Sequence, residues 1–374
     1  MEGVEVASEE MIALRPRLRI HLTNVTGTGA VRLAESLLPR MIDSEIAQVS
    51  RMFLPSVGAL AQWGAQYPQV PTQNIVRRLP NALSRLVECA LPSRIVRGSD
   101  PVLVLGDLPL FCDAPQTLFI QTPHLTGQDN EYSFGDWLKY AVSRGVLRRN
   151  LHRLQGAIVQ TEPMRLALLQ SYPELDGRLH VIPQPVPQWL MSAKGSRRGP
   201  LCYLGEGLRL IYPAAYYPHK NHKILGSISD DQARIAGVRS ISVTLEATEH
   251  PYPQSSWIRT VGRLDPEGML ELYANADALV FPSLQESFGF PLIEAMHVGL
   301  PIVAADRSFA RVLCGDEAIY FDPLSARSLE AALHELNKRI KAGWWPDWSS
   351  QLNQLPDSWQ EVADRILTIS VRGS

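Results

Sequence analysis

Short runs of apolar and β-branched residues alternate with longer stretches of helical periodicity along the whole chain. This alternation is typical of parallel sheets built from βαβ units. The predicted strands of the first half are Leu18–Thr23, Val102–Leu105, Thr117–Thr122, Ala157–Thr161 and His180–Ile182. Those of the second half are Leu208–Tyr212, Ile241–Leu245, Ala278–Phe281, Ile302–Ala304 and Ile319–Phe321. The pattern therefore predicts an α/β chain with two parallel sheets of about five strands each.

A proline-rich segment followed by a polar one predicts a hinge between two Rossmann-like halves. Three prolines within Pro183–Pro187 fix the backbone, and Ser192–Pro200 is polar and rich in small residues. We predict an N-terminal Rossmann-like domain at residues 1–190 and a C-terminal Rossmann-like domain at residues 191–345. Ligands of such folds bind at the carboxyl ends of the strands, so two facing halves would bind them in the cleft between.

The last part of the chain has the apolar spacing of a helix. Its tryptophans and aliphatic residues recur with helical period from Trp345 to Ser370, which predicts docking on a groove. We assign residues 346–374 to a C-terminal crossover helix.

Composition narrows the class of protein. With Lys+Arg 36 and Asp+Glu 38 the net charge is −2, which argues against a dedicated nucleic-acid binder. The N-terminal residues lack the pattern of a secretory signal, and no apolar run approaches the roughly 18–20 residues that span a bilayer. The four cysteines are scattered, which predicts reduced thiols in a cytoplasmic protein without structural metal.

The segment 278–296 carries the strongest chemical signal. It reads as a buried strand to Phe281, a loop to Gly289 and a helix that begins near Pro291. A glycine before a helix N-terminus lets an anion such as a diphosphate approach the backbone N–H groups. Glu286 in the loop and Glu294 in the helix could accept hydrogen bonds from sugar and ribose hydroxyls. Taken alone, such a pair is more often a solvated loop glutamate and an ordinary helix glutamate.

The flanking residues favour the functional interpretation. The run FPSLQESFGFPLIEAM at 281–296, followed by GLPIVA at 299–304, resembles the signature of the retaining GT-B glycosyltransferases of family 4, the group 1 type. YANAD at 273–277 and CGDEAIYFDP at 314–323 extend the similarity, which is close over 258–335 and loose in the N-terminal half. The resemblance implies a GT-B fold: two facing Rossmann-like domains with a C-terminal helix packed back toward the N-terminal domain. It also implies that residues 1–190 form the acceptor-side domain and residues 191–345 the nucleotide-sugar-binding domain.

The resemblance also implies roles for individual residues. Glu286 would bind the hexose of a nucleoside-diphosphate sugar near the reacting carbon, and Glu294 would bind the ribose. The remaining donor contacts that it implies in this half are Phe288, Gly289, Phe290, Arg263 and Leu264.

A second candidate feature of the site, a short basic run, follows the strand Leu208–Tyr212. The sequence PHKNH predicts a helix that begins around Asn221, with Lys220 at the mouth of the cleft. An ammonium there could neutralise a leaving diphosphate. A solvated lysine at a helix start is the alternative, but the run is similar to the phosphate-binding step of the family.

This chain departs from the family just before that lysine. Many members carry an arginine five or six residues earlier, where this chain has Ala214 and Ala215. Either another cation substitutes or activity is low, and Arg263 and Arg307 are the candidate substitutes.

The N-terminal half offers weaker signals at its strand ends. Gly27 and Gly29 follow the first strand, either as a tight turn or, as the resemblance implies, beside the donor phosphates. His124 follows another strand, where a histidine is often structural but where the family often has one beside the sugar. Asp107 and Glu162 also follow predicted strands.

Two stretches are basic. Residues 71–98 hold five arginines and one glutamate, and residues 139–165 hold six basic residues and one glutamate. Interleaved with leucine and valine, they form either solvated helix faces or a peripheral contact with an anionic membrane.

Together these features predict a retaining hexosyltransferase. It would move a sugar from a nucleoside-diphosphate donor to a hydroxyl of a glycan or lipid-linked glycan, with Glu286, Lys220 and His124 at the reaction centre. No D-x-D metal motif accompanies the cleft residues, so we expect neither metal nor cofactor. We expect a cytoplasmic protein, with any membrane contact peripheral at the inner face. The alternative is a non-catalytic nucleotide-sugar-binding subunit of a glycan-assembly complex.

Overall fold

The structure is a computed structural model. It describes residues 15–25, 27–77, 81–92, 96–127, 134–191, 199, 207–250 and 252–372. The N-terminal residues in which we found no secretory signal, and most of the predicted hinge at 192–200, lie outside the described residues.

The first half of the described chain forms a parallel seven-stranded sheet with the order β3-β2-β1-β4-β5-β6-β7. Its strands are β1 Arg17–His21, β2 Gln48–Pro55, β3 Thr72–Ile75, β4 Val102–Leu105, β5 Gln116–Phe119, β6 Leu154–Val159 and β7 Leu179–Val181. Nearly every residue of β4, β5 and β6 is buried because helices cover both faces, as parallel sheets require.

The second half forms a parallel six-stranded sheet with the order β10-β9-β8-β11-β12-β13. Its strands are β8 Leu208–Tyr212, β9 Val238–Val243, β10 Ile258–Thr260, β11 Ala278–Phe281, β12 Ile302–Ala305 and β13 Ile319–Phe321. Thus the α/β class and the two-sheet arrangement are confirmed.

The prediction of about five strands in each sheet was wrong, because β2, β3 and β10 were missed. Ser50 and Arg51 interrupt the apolar pattern of β2. β3 and β10 are edge strands, each with only one neighbouring strand and partly exposed side chains. Such strands need no continuous apolar run, so hydrophobic patterning does not detect them.

Helices pack on both sheets. The described α-helices are α1 Thr28–Ile42, α2 Trp63–Gln66, α3 Asn81–Ala90, α4 Phe134–Asn150, α5 Glu162–Ser171, α6 Gln188–Met191, α7 Asp230–Ile235, α8 Pro266–Ala274, α9 Phe290–Val298, α10 Ser308–Cys314, α11 Ala326–Lys341, α12 Ser349–Leu352 and α13 Trp359–Arg372. One short 3₁₀ helix follows β5, at Pro123–Thr126, and two follow β8, at Pro218–Lys220 and His222–Ser227.

The last helix completes the core of the first domain. α13 packs along α1, and its buried Val362, Ile366 and Leu367 belong to the apolar cluster of the N-terminal sheet. This confirms the expected return of a C-terminal helix to the N-terminal domain.

The helical prediction from Trp345 to Ser370 was wrong in its extent. The segment divides into α12 and α13 on either side of Pro356, which cannot donate the hydrogen bond that a continuous helix needs. Trp348 docks instead on the second domain, where its Nε1 donates to the carbonyl of Leu300 at 2.9 Å. The domain boundaries at 190 and 345 stay predictions.

Within the described ranges, every helix is too short or too polar to cross a lipid bilayer.

Candidate active site between the two sheets

The loop between β11 and α9 has the geometry of an anion site. Gly289 adopts φ +98°, a left-handed conformation, and a Cβ there would lie 3.3 Å from Leu292 Cδ1. Glycine therefore permits the sharp turn that brings α9 to its start at Phe290, with Pro291 in the first turn. The N–H groups at this helix start can bind a negatively charged group.

Lys220 and Glu286 meet at the same end of the sheet. Lys220 Nζ lies 2.5 Å from Glu286 Oε1, and the side chains are only 17% and 11% exposed. The structure therefore brings together the two residues that the sequence assigned to the leaving group and to the sugar.

Tyr212 joins the segments that carry this pair. Its buried hydroxyl donates to the carbonyl of Lys220 at 2.7 Å and lies 2.9 Å from Ser283 Oγ. The turn after β8 and the loop after β11 are thus held to one another.

The predicted helix begins at Asn221, but it is a short 3₁₀ helix, and the Asn221 side chain does not cap it. Asn221 has φ +54°, whereas a helix N-cap normally has extended backbone. Its amide donates to the carbonyl of Pro323 at 2.9 Å, and a 3₁₀ helix follows it. Lys220 nevertheless reaches the cleft, because the preceding 3₁₀ turn Pro218–Lys220 ends there.

Glu294 is a buried carboxyl within α9. Tyr273 Oη donates to Glu294 Oε2 at 2.7 Å. Burial raises the pKa of Glu294 to about 7, while the Tyr273 hydrogen bond and the charge of Arg32 counteract part of that rise. Near neutral pH the Glu294 carboxyl therefore exists in two forms. Its protonated form can both donate and accept hydrogen bonds, whereas its ionised form can only accept them.

Tyr273→Phe is expected to move the pH dependence of donor binding. In the role that the resemblance implies for Glu294, its ionised form is the better acceptor for ribose hydroxyls, so donor affinity should rise with pH through about 7. Losing the tyrosine donor raises the pKa of Glu294 further, which shifts that rise to higher pH and lowers affinity at neutral pH by up to about tenfold. Titration with a nucleoside-diphosphate sugar between about pH 6 and about pH 9 checks this.

Tyr320→Phe is the matched control. It also removes a tyrosine hydroxyl from the second domain, but that hydroxyl donates to the backbone carbonyl of Gly315 and not to Glu294. Its pH profile should coincide with that of the wild type. Coincident profiles for Tyr273→Phe as well would refute the link between Tyr273 and Glu294.

His124 lies on the opposite wall of the cleft. Its buried ring stacks on Tyr140 of α4 with centroids 4.3 Å apart and meets the edge of His219 of the second domain at 5.2 Å. Asp107 shapes the preceding loop by accepting from the N–H of Gln121 at 2.7 Å and from Thr122 Oγ1 at 2.7 Å. Asp107 therefore positions the histidine loop.

The other candidate donor contacts differ in their surroundings. Phe288 is buried, whereas Arg263 is 78% exposed, and its Nη2 lies 3.5 Å from Glu249 Oε1. A Cβ at Gly27 or Gly29 would meet no described atom within 4 Å, so packing does not require glycine there.

Contacts made by Phe290, Ser287 and Leu264 connect the second domain to the first. Phe290 stacks on Trp359 of α13 with centroids 6.4 Å apart. Thr161 Oγ1 donates to the carbonyl of Ser287 at 3.3 Å, and Arg32 Nη2 donates to the carbonyl of Leu264 at 3.5 Å.

Sequence reasoning missed Tyr273, Arg32, Tyr140 and His219. Tyr273 lies in the YANAD run that carries the resemblance, so its position was a usable signal. The other three act through contacts between segments far apart in sequence, which no local pattern reports. Glu162, considered earlier, pairs on the surface with Arg165 at 2.6 Å.

In the part of the chain that the structure describes, no three His, Cys, Asp or Glu side chains converge as a metal-ligand set. Independence from metal stays a prediction.

Comparison with known proteins agrees with this geometry. Residues 232–340 match the family model of glycosyl transferases group 1. O-antigen chain mannosyltransferase B of Escherichia coli is 29% identical over 110 residues, which is 29% of this chain and 24% of that protein. Phosphatidyl-myo-inositol mannosyltransferase of Mycobacterium leprae is 34% identical over 122 residues, 28% of this chain and 32% of the relative. The chain thus spans about a quarter to a third of these curated relatives.

Among solved structures, WaaG, a glycosyltransferase involved in lipopolysaccharide biosynthesis, superposes with a TM-score of 0.63 at 13% identity. The match covers 95% of this chain and all of WaaG, and at this identity it reports the fold alone. The chain has the GT-B fold. Both Glu286 and Glu294 lie within residues 232–340, which match the group 1 glycosyl transferase model.

Proposed function

We propose that this protein transfers a hexose, with mannose as the first candidate, from a nucleoside-diphosphate sugar to a hydroxyl of a glycan or lipid-linked glycan, with retention at the anomeric carbon. The observation that carries the proposal is the Lys220–Glu286 pair at 2.5 Å beside the start of α9, within the group 1 domain. The mannosyltransferase relatives support the choice of sugar and a place in bacterial polysaccharide synthesis.

The proposed chemistry is a front-side displacement. Glu286 accepts hydrogen bonds from the sugar hydroxyls, and Glu294 accepts them from the ribose. As the sugar–phosphate bond breaks, Lys220 and the N–H groups at Gly289 and Phe290 stabilise the charge that builds on the leaving diphosphate. A phosphate oxygen of the leaving group takes the acceptor proton, and His124 lines the sugar from the other domain.

The test is thermal stabilisation of the protein by UDP-, GDP-, ADP- and dTDP-sugars, followed by donor hydrolysis and transfer assays. A ligand that binds only the native state raises the midpoint of unfolding. Stabilisation by one donor with slow release of free sugar supports the enzyme. Tight binding without turnover supports the alternative binding subunit, and no stabilisation by any donor contradicts both.

We infer that no metal is needed, because Lys220 and the start of α9 supply positive charge at the diphosphate. Activity should survive EDTA. Loss in EDTA with recovery in manganese would contradict the inference.

We also propose peripheral contact with an anionic lipid surface through α3 and α4, which pack against one another. The exposed apolar side chains on these helices are Leu83, Val87, Trp137, Leu138 and Val142, and Leu91 directly after α3 is exposed as well. Arg148 and Arg149 are exposed on α4. Apolar side chains flanked by arginines suit the boundary between headgroups and acyl chains. The described cysteines are buried free thiols, which supports a reducing compartment on the cytoplasmic side.

Trp137→Glu combined with Leu138→Glu is expected to abolish flotation with anionic liposomes. Both side chains are about half exposed, so the fold should tolerate the change. Ile235→Glu, an exposed position on α7 of the other domain, is the control and should float as the wild type does. Failure of the wild type to float at low salt, or unchanged flotation of the double variant, would remove this contact.

A further inference from the structure

Arg32, in the first domain, extends across the cleft toward the side where we place the nucleoside-diphosphate sugar. It lies just over one turn into α1, which begins directly after Gly27. Its Nη2 reaches the carbonyl of Leu264 at 3.5 Å, and its charge acts on the buried Glu294. The half-buried Arg32 side chain therefore lies between the glycine loop before α1, in the first domain, and the carboxyl of Glu294, in the second domain.

In the described part of the second domain, Lys220 and the N–H groups at the start of α9 are the positive groups that we assign to the diphosphate. Lys220 already shares its charge with Glu286 at 2.5 Å. Arg263, the first candidate substitute, lies on the surface beside Glu249. Ala214 and Ala215 contribute no charge. A cation from the opposite wall would balance a ligand that carries at least two negative charges.

The chemistry of Arg32 suits that task. A guanidinium has five N–H donors in a planar fork that matches phosphate oxygens. Among the described residues, its side chain makes one long hydrogen bond, to the Leu264 carbonyl, so most of its donors remain for a ligand. The other candidate substitute, Arg307, belongs to the second domain, directly before α10, and its side chain makes no hydrogen bond to the start of that helix.

We propose that Arg32 binds a phosphate group of the donor from the N-terminal domain, and thereby couples donor binding to closure of the cleft. The proposal rests on the proposed function, since it requires a nucleoside-diphosphate ligand. With the donor bound, Glu294 accepts hydrogen bonds from the ribose hydroxyls and Arg32 donates to the adjoining diphosphate. The ligand therefore lies between Arg32 and Glu294, whose charges interact directly in this structure.

The experiment compares nucleoside diphosphates with the corresponding nucleosides, using UDP with uridine and GDP with guanosine, in titration and competition measurements. At about pH 9, where Glu294 is ionised with or without Arg32, Arg32→Ala should weaken the diphosphate by about tenfold or more and leave the nucleoside nearly unchanged. Arg32→Lys should recover part of the loss. Arg40→Ala removes an equal charge from the last turn of the same helix and should match the wild type.

Each other outcome overturns a specific statement. Equal losses for nucleoside and diphosphate would mean that Arg32 only holds the two domains together, and unchanged affinities would mean that it has no contact with the ligand. Either result refutes the proposal while leaving the proposed function intact. If the wild type binds neither diphosphate, the proposed function and this inference fail together.

Discussion

Replacing Lys220 by alanine is expected to lower kcat by about 10²–10³-fold, the usual cost of removing one preorganised donor from a developing negative charge. The ammonium lies 2.5 Å from Glu286 and is mostly buried, so water replaces it poorly. Because the charge on the diphosphate increases as the bond breaks, kcat should fall more than the donor KM rises. Steady-state kinetics with the donor identified by thermal stabilisation check this.

Lys223→Ala provides the matched control, since it removes an exposed lysine three residues further along the chain. It should leave kcat nearly unchanged. A Lys220→Ala enzyme with normal kcat and a raised KM would show that Lys220 binds the ground state only, contrary to the proposed mechanism.

Glu294→Ala is expected to weaken the free nucleoside diphosphate by about 10–100-fold, the worth of one or two hydrogen bonds to a charged acceptor. Glu286→Ala should not weaken the free diphosphate, since it releases Lys220 from its ion pair, but it should weaken the complete sugar donor, because Glu286 is assigned to the hexose. Calorimetric titration of both variants with the diphosphate and with the donor separates the roles. Equal losses for both variants with the free diphosphate would refute the assignment.

The stability of the Glu294 variants supplies an independent check. Its folded-state pKa is raised to about 7, above the value of the unfolded chain, so the folded protein holds the extra proton between those values. The contribution of Glu294 to stability is therefore fully present at low pH and declines as pH rises through about 7. Glu294→Gln, which cannot ionise, should remove this decline, while a Glu294→Ala protein must still unfold cooperatively for its binding loss to be interpreted.

The sequence predicted those parts of the molecule whose signals are local. The strand Ala278–Phe281, the turn at Gly289 and the helix after it depend on neighbouring residues, and each appears where the pattern indicated. The edge strand Thr72–Ile75 has no such signal, because solvent on its free side relaxes the demand for apolar residues.

The site shows the same division. Glu286 and Glu294 were found from one continuous motif, whereas the Tyr273 hydroxyl on Glu294 needed the packing of α8 against α9. Arg32 reaches Leu264 across 232 residues of chain, so only the folded structure reveals that contact. At Asn221 local propensity was overridden, because its side chain bonds the distant Pro323 carbonyl.

The return of the last helix has a mechanical consequence. Two connections join the domains, one between β7 and β8 and one before α13, and their described residues meet where Trp359 Nε1 donates to the carbonyl of Val186 at 3.2 Å. We expect two connections that lie side by side to act as one hinge, which permits the domains to swing apart but resists twisting about their common axis. The same arrangement means that no single cut yields two complete units: a fragment that stops at the first connection would lack the helix that covers α1 and leave its apolar groove open to water.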